Sequence, residues 1–170
     1  ALRRAFVQVL NRSSLMQIIP VDAQAASGIL PPAMTFGGQS YRSQAKNETY
    51  LKQSASAAAV GSKLLPKNPQ ITLLCTNETK ALASRMLASW NQAFQTYFSL
   101  NAVDSSSLLS SVRSGSYTIV VYPYTPASAD AYTALASFQS GQGGNFAQLK
   151  DPAYDQLLNS GTACPWDSGR

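Results

Sequence analysis

Apolar residues recur at helical spacing at the start of the chain. Leu2, Ala5, Phe6, Val9 and Leu10 fall at i, i+3, i+4, i+7 and i+8, which places them on one helical face. The residues between them are mostly arginine and glutamine, which suit the opposite, solvent-facing side. The pattern predicts an amphipathic helix from the first turn, and no N-cap residue precedes it.

Residues 11–42 predict a short helix followed by an ordered loop. Ser14-Leu15-Met16-Gln17 has the S-x-x-Q form of a capping box, so a second helix should begin there and end before Pro20. From residue 21 to 42, glycines and prolines alternate with isolated large apolar residues. Flexible linkers seldom keep so many large apolar side chains, so we expect an ordered crossing loop.

An alanine-rich helix is predicted next. Asn47 can cap it, its buried face consists of small residues, and Gly61 is a fitting C′ residue. Because alanine has a short side chain, this face should pack closely against a sheet.

Strand and helix patterns then alternate. The segments are a strand at 71–75, a helix at 77–94, a strand at 98–102, a helix from Asp104 to Gly115 and a strand at 117–122. Such alternation predicts parallel strands joined by right-handed crossovers.

The last part of the chain predicts two further helices around a loop. The patterns are a helix over 127–138, a glycine-rich loop over 141–145 and a helix that begins at Asp151-Pro152 and ends at Gly161. We expect residues 161–170 to be a frayed end.

Composition favours one globular domain over residues 1–170. The 170 residues are 45% hydrophobic, and the longest apolar runs are far short of the roughly 20 residues that a membrane helix needs. The net charge is +5, but the lysines and arginines are dispersed. A nucleic-acid surface needs clustered positive charge, so we expect no nucleic-acid partner.

Candidate catalytic and metal-binding residues are scarce. The chain has no histidine, which excludes Ser-His-Asp and Cys-His mechanisms and disfavours zinc, copper and non-haem iron sites. Ser43-Gln44-Ala45-Lys46 matches S-x-x-K, but neither S-D-N nor K-T-G accompanies it. We therefore expect no catalytic residue, no metal and no cofactor, and we keep a Ser43/Lys46 enzyme only as a distant alternative.

The two cysteines have no metal-binding spacing. Cys75 lies in an apolar run and Cys164 in a tail with glycine and proline. A buried Cys75 and a free tail thiol are favoured, and a disulfide between them stays open.

Five segments together resemble one known family. They are residues 2–12, Gly28-Ile29-Leu30-Pro31-Pro32, Ile71-Thr72-Leu73-Leu74, Ser114-Gly115-Ser116-Tyr117-Thr118-Ile119 and Asp151-Pro152-Ala153-Tyr154-Asp155-Gln156-Leu157-Leu158. In this order they are similar to the second lobe of the family 5 extracellular solute-binding proteins, over residues 2–159. The resemblance implies an α/β, periplasmic-binding-protein-like lobe with a small, mostly parallel sheet flanked by helices.

The same resemblance implies a function and partners. Members of the family are the peptide-binding components of bacterial ABC importers, so the chain is expected to be one lobe that captures peptides or similar extended solutes in an inter-lobe cleft. The implied partners are the solute, the importer's membrane subunits and a missing first lobe of the same protein. We expect an extracellular or periplasmic monomer, anchored as a lipoprotein in the full-length parent. The alternative is a ligand-sensing domain of a transcriptional regulator with the same fold.

Candidate ligand contacts follow from the strand ends. Ligands of open α/β sheets bind beyond the carboxyl ends of the strands, which here precede Asn77, Asp104 and Tyr122. At the last of these ends, peptide binders carry a Trp and then Ala-Asp-Tyr-Pro, whose Asp the family assigns to the ligand's α-ammonium. This chain has Tyr122-Pro123-Tyr124-Thr125-Pro126 instead.

Four residues are the predicted ligand contacts. They are Tyr122, Tyr124, Thr125 and, in the glycine-rich loop where the family often has an Asn, Asn145. Tyrosines offer an apolar face and a hydroxyl to an extended solute. An equally weighted interpretation makes Tyr122 a core residue and Tyr124 an ordinary turn tyrosine.

Overall fold

The chain divides into two compact units. The computed structural model describes residues 1–19, 23, 25, 28–44 and 51–163. The first unit comprises Ala1–Gly28 and Asn47–Pro123, and the second comprises Ile29–Lys46 and Tyr124–Arg170. The expectation of a single domain stays a prediction.

Eight helices and five strands are described in these ranges. In chain order they are α1 (Leu2–Val9), α2 (Arg12–Met16), β1 (Thr35–Phe36), β2 (Gln39–Ser40), α3 (Tyr41–Gln44), α4 (Ala57–Leu64), β3 (Thr72–Thr76), α5 (Lys80–Phe94), β4 (Ser99–Val103), α6 (Ser105–Ser114), β5 (Ile119–Val120), α7 (Ala131–Ala136) and α8 (Pro152–Ala163). Among the described helices, none has the length and apolar content that a membrane crossing needs.

A parallel sheet forms the first unit's framework. Its strand order is β4-β3-β5, and β3 pairs in parallel with both neighbours. The central strand is buried from Leu73 to Thr76, as expected of a strand covered on both faces. The predicted alternation of strands and helices is confirmed. The third strand is shorter than the predicted 117–122, because the edge strand β5 pairs with β3 only at Ile119 and Val120.

An aromatic cluster fills the core of the first unit. The Phe6 ring lies 5.2 Å from Trp90, 4.8 Å from Phe94 and 5.6 Å from Phe98, measured between ring centroids. The indole Nε1 of Trp90 donates a hydrogen bond of 2.8 Å to the Phe6 carbonyl, so its polar atom is satisfied although the side chain is buried. The predicted apolar face of α1 therefore binds α5.

Gly61 lies within α4 rather than after its end. The helix ends at Leu64, its C-cap is Leu65, and a Cβ at position 61 would overlap the Phe94 ring. The predicted C′ role for Gly61 is wrong, because this glycine serves a close helix–helix approach instead. The alanine-rich face was also assigned to the wrong neighbour, since α4 packs against α1 and α5 rather than against the sheet. The predicted cap Asn47 lies outside the described residues.

The second helix begins earlier than its capping-box pattern predicts. Asn11 is the N-cap of α2, and its Oδ1 accepts a hydrogen bond of 3.2 Å from the Ser14 backbone N–H. The Ser14 backbone N–H is therefore capped by Asn11, and Ser14 is not itself the N-cap. Asn and Ser are both good caps, so the local pattern could not choose between them.

The second unit contains a small hairpin within the segment where an ordered crossing loop was predicted. Strands β1 and β2 are antiparallel, and the turn between them has Gly37 and Gly38 at φ 59° and 76°. Both positions are left-handed, which only glycine adopts at low cost. Over residues 28–42, Leu30 and Met34 are buried in a small core with Ala131 and Ala134, as expected of an ordered loop.

Helices α7 and α8 begin at aspartate caps, and because Asp130 caps α7, this helix spans only Ala131–Ala136 of the predicted 127–138. Asp130 accepts a hydrogen bond of 2.7 Å from the Thr133 backbone N–H. Asp151 accepts one of 3.0 Å from Ala153, which confirms the predicted start of α8. The predicted stop at Gly161 is wrong, because α8 continues to Ala163. Glycine permits a left-handed helix end but does not impose one.

Cys75 is a buried free thiol, as predicted. Burial raises the pKa of this thiol, and the nearby Lys80 charge partly opposes the increase. Cys164 lies outside the described residues, so its predicted free state stays a prediction.

Candidate functional site

The carboxyl ends of the three parallel strands meet at one edge of the first unit's sheet. Thr76 and Val103, the last residues of β3 and β4, are register partners. On the other side, Val120 pairs with Leu74, and the Val121 N–H donates a hydrogen bond of 2.9 Å to the Leu74 carbonyl. Asn77, Asp104 and Tyr122 follow these strand ends, so the structure places them at the sheet edge that the sequence predicts.

A hydroxyl network fixes the turn after β3. Thr76 is only 5% exposed, and its backbone N–H donates a hydrogen bond of 3.1 Å to the Thr79 hydroxyl. The two hydroxyl oxygens lie 3.2 Å apart. A hydrogen bond from the Thr76 side chain lowers the pKa of the exposed Glu78 carboxyl. The turn therefore presents the exposed Asn77 amide and an ionised Glu78 beside a rigid strand end.

Asp104 is occupied by the start of α6. Its Oδ1 accepts from the Ser106 and Ser107 backbone N–H groups at 3.0 and 2.9 Å. Both serine hydroxyls also donate to the carboxylate, at 2.5 and 2.7 Å. These bonds hold the pKa of Asp104 far below its ordinary value. The predicted N-cap is confirmed, and Gly115 ends the helix at φ 70°.

Tyr122 lies two residues beyond β5. It is half-buried and belongs to the first unit. The other three predicted contacts, Tyr124, Thr125 and Asn145, belong to the second unit. The ligand role of these four residues stays a prediction.

Within the second unit, Tyr124 lies against the end of α7. Its hydroxyl is 3.3 Å from the Ser137 hydroxyl, and its ring centroid is 6.1 Å from that of Phe138. The Ser137 hydroxyl donates to the Ala134 carbonyl at 2.7 Å, so Tyr124 is the donor in the shared bond. The Tyr124 side chain is 43% exposed, and Thr125 beside it is also exposed. The contacts with Ser137 and Phe138 hold Tyr124 in place, and much of its side chain remains accessible to solvent.

Asn145 closes a turn in the glycine-rich loop. Its amide donates to the Leu149 carbonyl at 2.8 Å, and its Oδ1 accepts from the Leu149 N–H at 2.9 Å. The side chain is only 8% exposed and lines a cavity of about 480 Å³ together with Gln142 and Lys150. These bonds take one amide hydrogen and one of the two lone pairs of Oδ1, so a direct ligand contact would use the second amide hydrogen or the second lone pair.

Ser137 connects Tyr124 with the glycine-rich loop, and sequence patterns did not single it out. A Cβ placed on Gly144 would lie 3.2 Å from the Ser137 Cβ, so the loop approaches the residue that binds the Tyr124 hydroxyl. A serine at the end of a helix has no distinguishing signal in the sequence. Only the tertiary structure brings it to both segments.

Neither a metal centre nor a catalytic dyad is supported by the described residues. Among them, no group of three or more His, Cys, Asp or Glu side chains could hold a metal ion. Ser43 is exposed and donates to the Ser40 carbonyl at 2.7 Å, whereas Lys46 lies outside the described residues.

Comparisons with solved structures identify the fold. No protein-family model matches the sequence, and no curated protein matches it. The chain is similar to the substrate-binding domain of an oligopeptide ABC transporter from Bacillus anthracis, with a TM-score of 0.85 at 19% identity, over 95% of this chain and 33% of that one. It is also similar to Listeria monocytogenes OppA bound to peptide, with a TM-score of 0.79 at 17% identity, over 93% and 33% of the two chains.

A third match is closer to the chain in length. A peptide-binding protein of a peptide ABC transporter gives a TM-score of 0.81 at 16% identity, over 98% of this chain and 78% of that one. The chain thus spans about a third of the Bacillus and Listeria structures and most of this third one. At these identities the similarities establish the fold. The expected α/β, periplasmic-binding-protein-like lobe is confirmed.

Proposed function

We propose that the chain is the substrate-binding lobe of a solute-binding protein that serves an ABC importer. The observation that carries this proposal is the fold similarity over almost the whole chain to two proteins described as substrate-binding or peptide-binding parts of ABC transporters, and to one described as bound to peptide. The solute would be a peptide or another extended molecule, bound in a cleft that a further lobe completes.

The carboxyl edge of the first unit's sheet supports this location. The strand ends bring an exposed amide at Asn77 and a half-buried aromatic ring at Tyr122 to one edge. Ligands of open α/β sheets bind at this edge, and sites for small molecules combine apolar surface with a few polar groups. Tyr124, Thr125 and Asn145 are the candidate contacts of the second unit.

The two carboxylates of the sheet edge, Asp104 and Glu78, differ in their availability to a solute. Asp104 already receives four hydrogen bonds from Ser106 and Ser107, so its charge is committed to α6. Glu78 is exposed and held ionised by Thr76. We infer that Glu78, side-chain amides and tyrosine hydroxyls, rather than Asp104, make this lobe's polar contacts with the solute.

The wider role follows from the same proposal. The full-length protein would be an extracellular or periplasmic monomer, anchored as a lipoprotein, that delivers its solute to the importer's membrane subunits. The named similarities give no support to a ligand-sensing domain of a transcriptional regulator, and no described geometry favours a Ser43/Lys46 enzyme. The absence of catalysis stays a prediction.

Native mass spectrometry of the full-length protein with a mixed pool of short peptides tests the proposal. We expect a retained peptide mass that is lost in Tyr122→Ala and in Tyr124→Ala. Tyr97→Ala is the matched control, because Tyr97 is 82% exposed and lies before the amino end of β4. Thermal unfolding of each variant separates lost binding from lost folding.

The outcomes distinguish the proposed peptide solute from the more general solute-binding role. A different small molecule retained in place of a peptide would keep the solute-binding role and change the solute class. Failure to retain any molecule, with the protein folded, would contradict the solute-binding role itself. Loss of the ligand in Tyr97→Ala as well would contradict the location of the site.

A further inference from the structure

A second cavity lies at the opposite end of the first unit's sheet. It has a volume of about 390 Å³, and its lining includes Ile71 and Ile119, at the amino ends of β3 and β5. The five-residue strand β3 separates this end from the carboxyl ends by roughly 16 Å. The cavity is therefore distinct from the proposed solute site.

The lining of this cavity is almost entirely apolar. Helix α1 contributes Phe6, and α5 contributes Met86 and Trp90, which are one helical turn apart. The Trp90 Nε1–H is already bound to the Phe6 carbonyl at 2.8 Å, so the indole offers the cavity no free donor. A ligand body in this place would have to be apolar, because a buried polar group without a partner is costly.

One positively charged side chain lines this apolar cavity. Arg3, which is exposed, is the single charged residue among the described lining residues. The next residue, Arg4, lines a different groove between α1 and α4. An apolar cavity of this size with a guanidinium at its mouth suits a molecule with an apolar body and one carboxylate, since Arg recognises carboxylates well.

We propose that this cavity, lined by Phe6, Met86 and Trp90 with Arg3 at its mouth, binds a small amphipathic carboxylic acid. The apolar body occupies the cavity, and the carboxylate pairs with the Arg3 guanidinium. The inference is independent of the solute that the carboxyl edge of the sheet binds.

Trp90 provides the direct readout. The chain holds two tryptophans, so Trp166→Phe leaves Trp90 as the sole tryptophan. In this background, decanoate below its micelle concentration should change the Trp90 emission in a saturable way. Decanol, which has the same chain without the charge, should bind roughly threefold to fivefold more weakly, because it cannot form the exposed ion pair with Arg3.

Two neighbouring arginines form a matched pair of variants. Arg3→Glu should weaken decanoate binding about fivefold or more, whereas Arg4→Glu should change it less than about twofold, because its side chain faces the other groove. Val7→Phe, which fills the cavity, should abolish the signal. Far-UV circular dichroism confirms folding, and the arginine pair keeps the test valid if Val7→Phe misfolds.

Contrary results are equally definite. A Trp90 signal that fails to saturate, or equal affinities for decanoate and decanol, overturns the proposal. Equal effects of Arg3→Glu and Arg4→Glu overturn the assignment of the carboxylate to Arg3. A second titration uses the full-length protein and follows the NMR signal of the Met86 methyl group. Loss of decanoate binding in the full-length protein overturns the proposal, because another part of the protein would occupy the cavity.

Discussion

The two units are stabilised in different ways. The first buries large side chains around a parallel sheet, with Phe98 fully buried beside Trp90 and Phe94. The second has a smaller core around Leu30 and Met34, together with several side-chain hydrogen bonds to the backbone. Among these, the Tyr154 hydroxyl donates to the Leu135 carbonyl at 2.7 Å, and Asp155 accepts from the Ser140 N–H at 3.0 Å.

This contrast distinguishes a unit with a core of large apolar side chains from a unit with a smaller core. Burial of large apolar side chains is the dominant favourable term in folding, whereas a single hydrogen bond contributes about 1 kcal/mol net. Truncation of a core residue in the first unit should therefore cost more than removal of a polar contact in the second. Four predictions test this difference, beginning with the largest expected effect.

Phe98→Ala should lower the free energy of unfolding by about 3–5 kcal/mol, because it removes a fully buried ring and leaves a cavity. Urea unfolding followed by Trp90 emission in the Trp166→Phe background measures this effect. The adjacent Tyr97→Ala is the control and should change stability by less than about 0.5 kcal/mol, since Tyr97 is 82% exposed. Equal effects of the two variants would contradict the proposed core.

Gly61→Ala should destabilise the first unit by about 1–3 kcal/mol, although alanine is the better helix former. The added Cβ overlaps the Phe94 ring, so α4 or α5 must shift. Ser62→Ala, at an exposed position of the same helix, should be neutral or slightly stabilising. If Gly61→Ala raised the urea concentration at the unfolding midpoint, the close contact of α4 with α5 at this position would be contradicted.

Asn145→Ala should cost about 1–2 kcal/mol locally in the second unit, because it leaves the Leu149 N–H and C=O without their partner. Amide hydrogen exchange at Leu149 should become roughly tenfold faster or more. The exposed Gln142→Ala in the same loop serves as the control. Unchanged exchange combined with lost ligand binding would instead show a direct ligand role for Asn145.

Acid should weaken both units through Asp104 and Asp155. Hydrogen bonds from Ser106 and Ser107 lower the pKa of Asp104, and those from Ser140 lower the pKa of Asp155. The lowered folded-state values mean that each carboxylate stabilises the fold above its ordinary pKa of 3.8. This contribution is lost as the pH falls through the folded-state pKa.

Asp104→Asn and Asp155→Asn should therefore each flatten the fall of thermal stability below about pH 4. Thermal unfolding followed at a series of pH values measures this effect. A profile as steep as that of the unchanged chain in both variants would refute the assigned pKa shifts.

Much of the first unit could be predicted because its buried apolar residues recur at regular spacing in the sequence. The apolar face of α1, the apolar run of β3 and the caps Asp104 and Gly115 are local signals, and the structure confirms them. Gly61 was misassigned because a glycine at a helix end and one at a helix contact look alike in sequence. Only the position of Phe94 distinguishes them.

The second unit was harder to predict for a physical reason. Strands β1 and β2 have two residues each, too short for an alternating pattern. The candidate site shows the same limit. The strand order placed Asn77 and Tyr122 at a carboxyl edge, but the bond between Tyr124 and Ser137 joins residues 13 positions apart and has no sequence signature.

A crystal structure of the full-length protein with the molecule that it retains tests the central claim most directly. The account predicts ligand density at the carboxyl ends of β3, β4 and β5, with a ligand atom within hydrogen-bond distance of Asn77 or Tyr122. A bound solute that contacts neither residue, with the sheet edge facing solvent in the ligand-bound protein, would contradict the account.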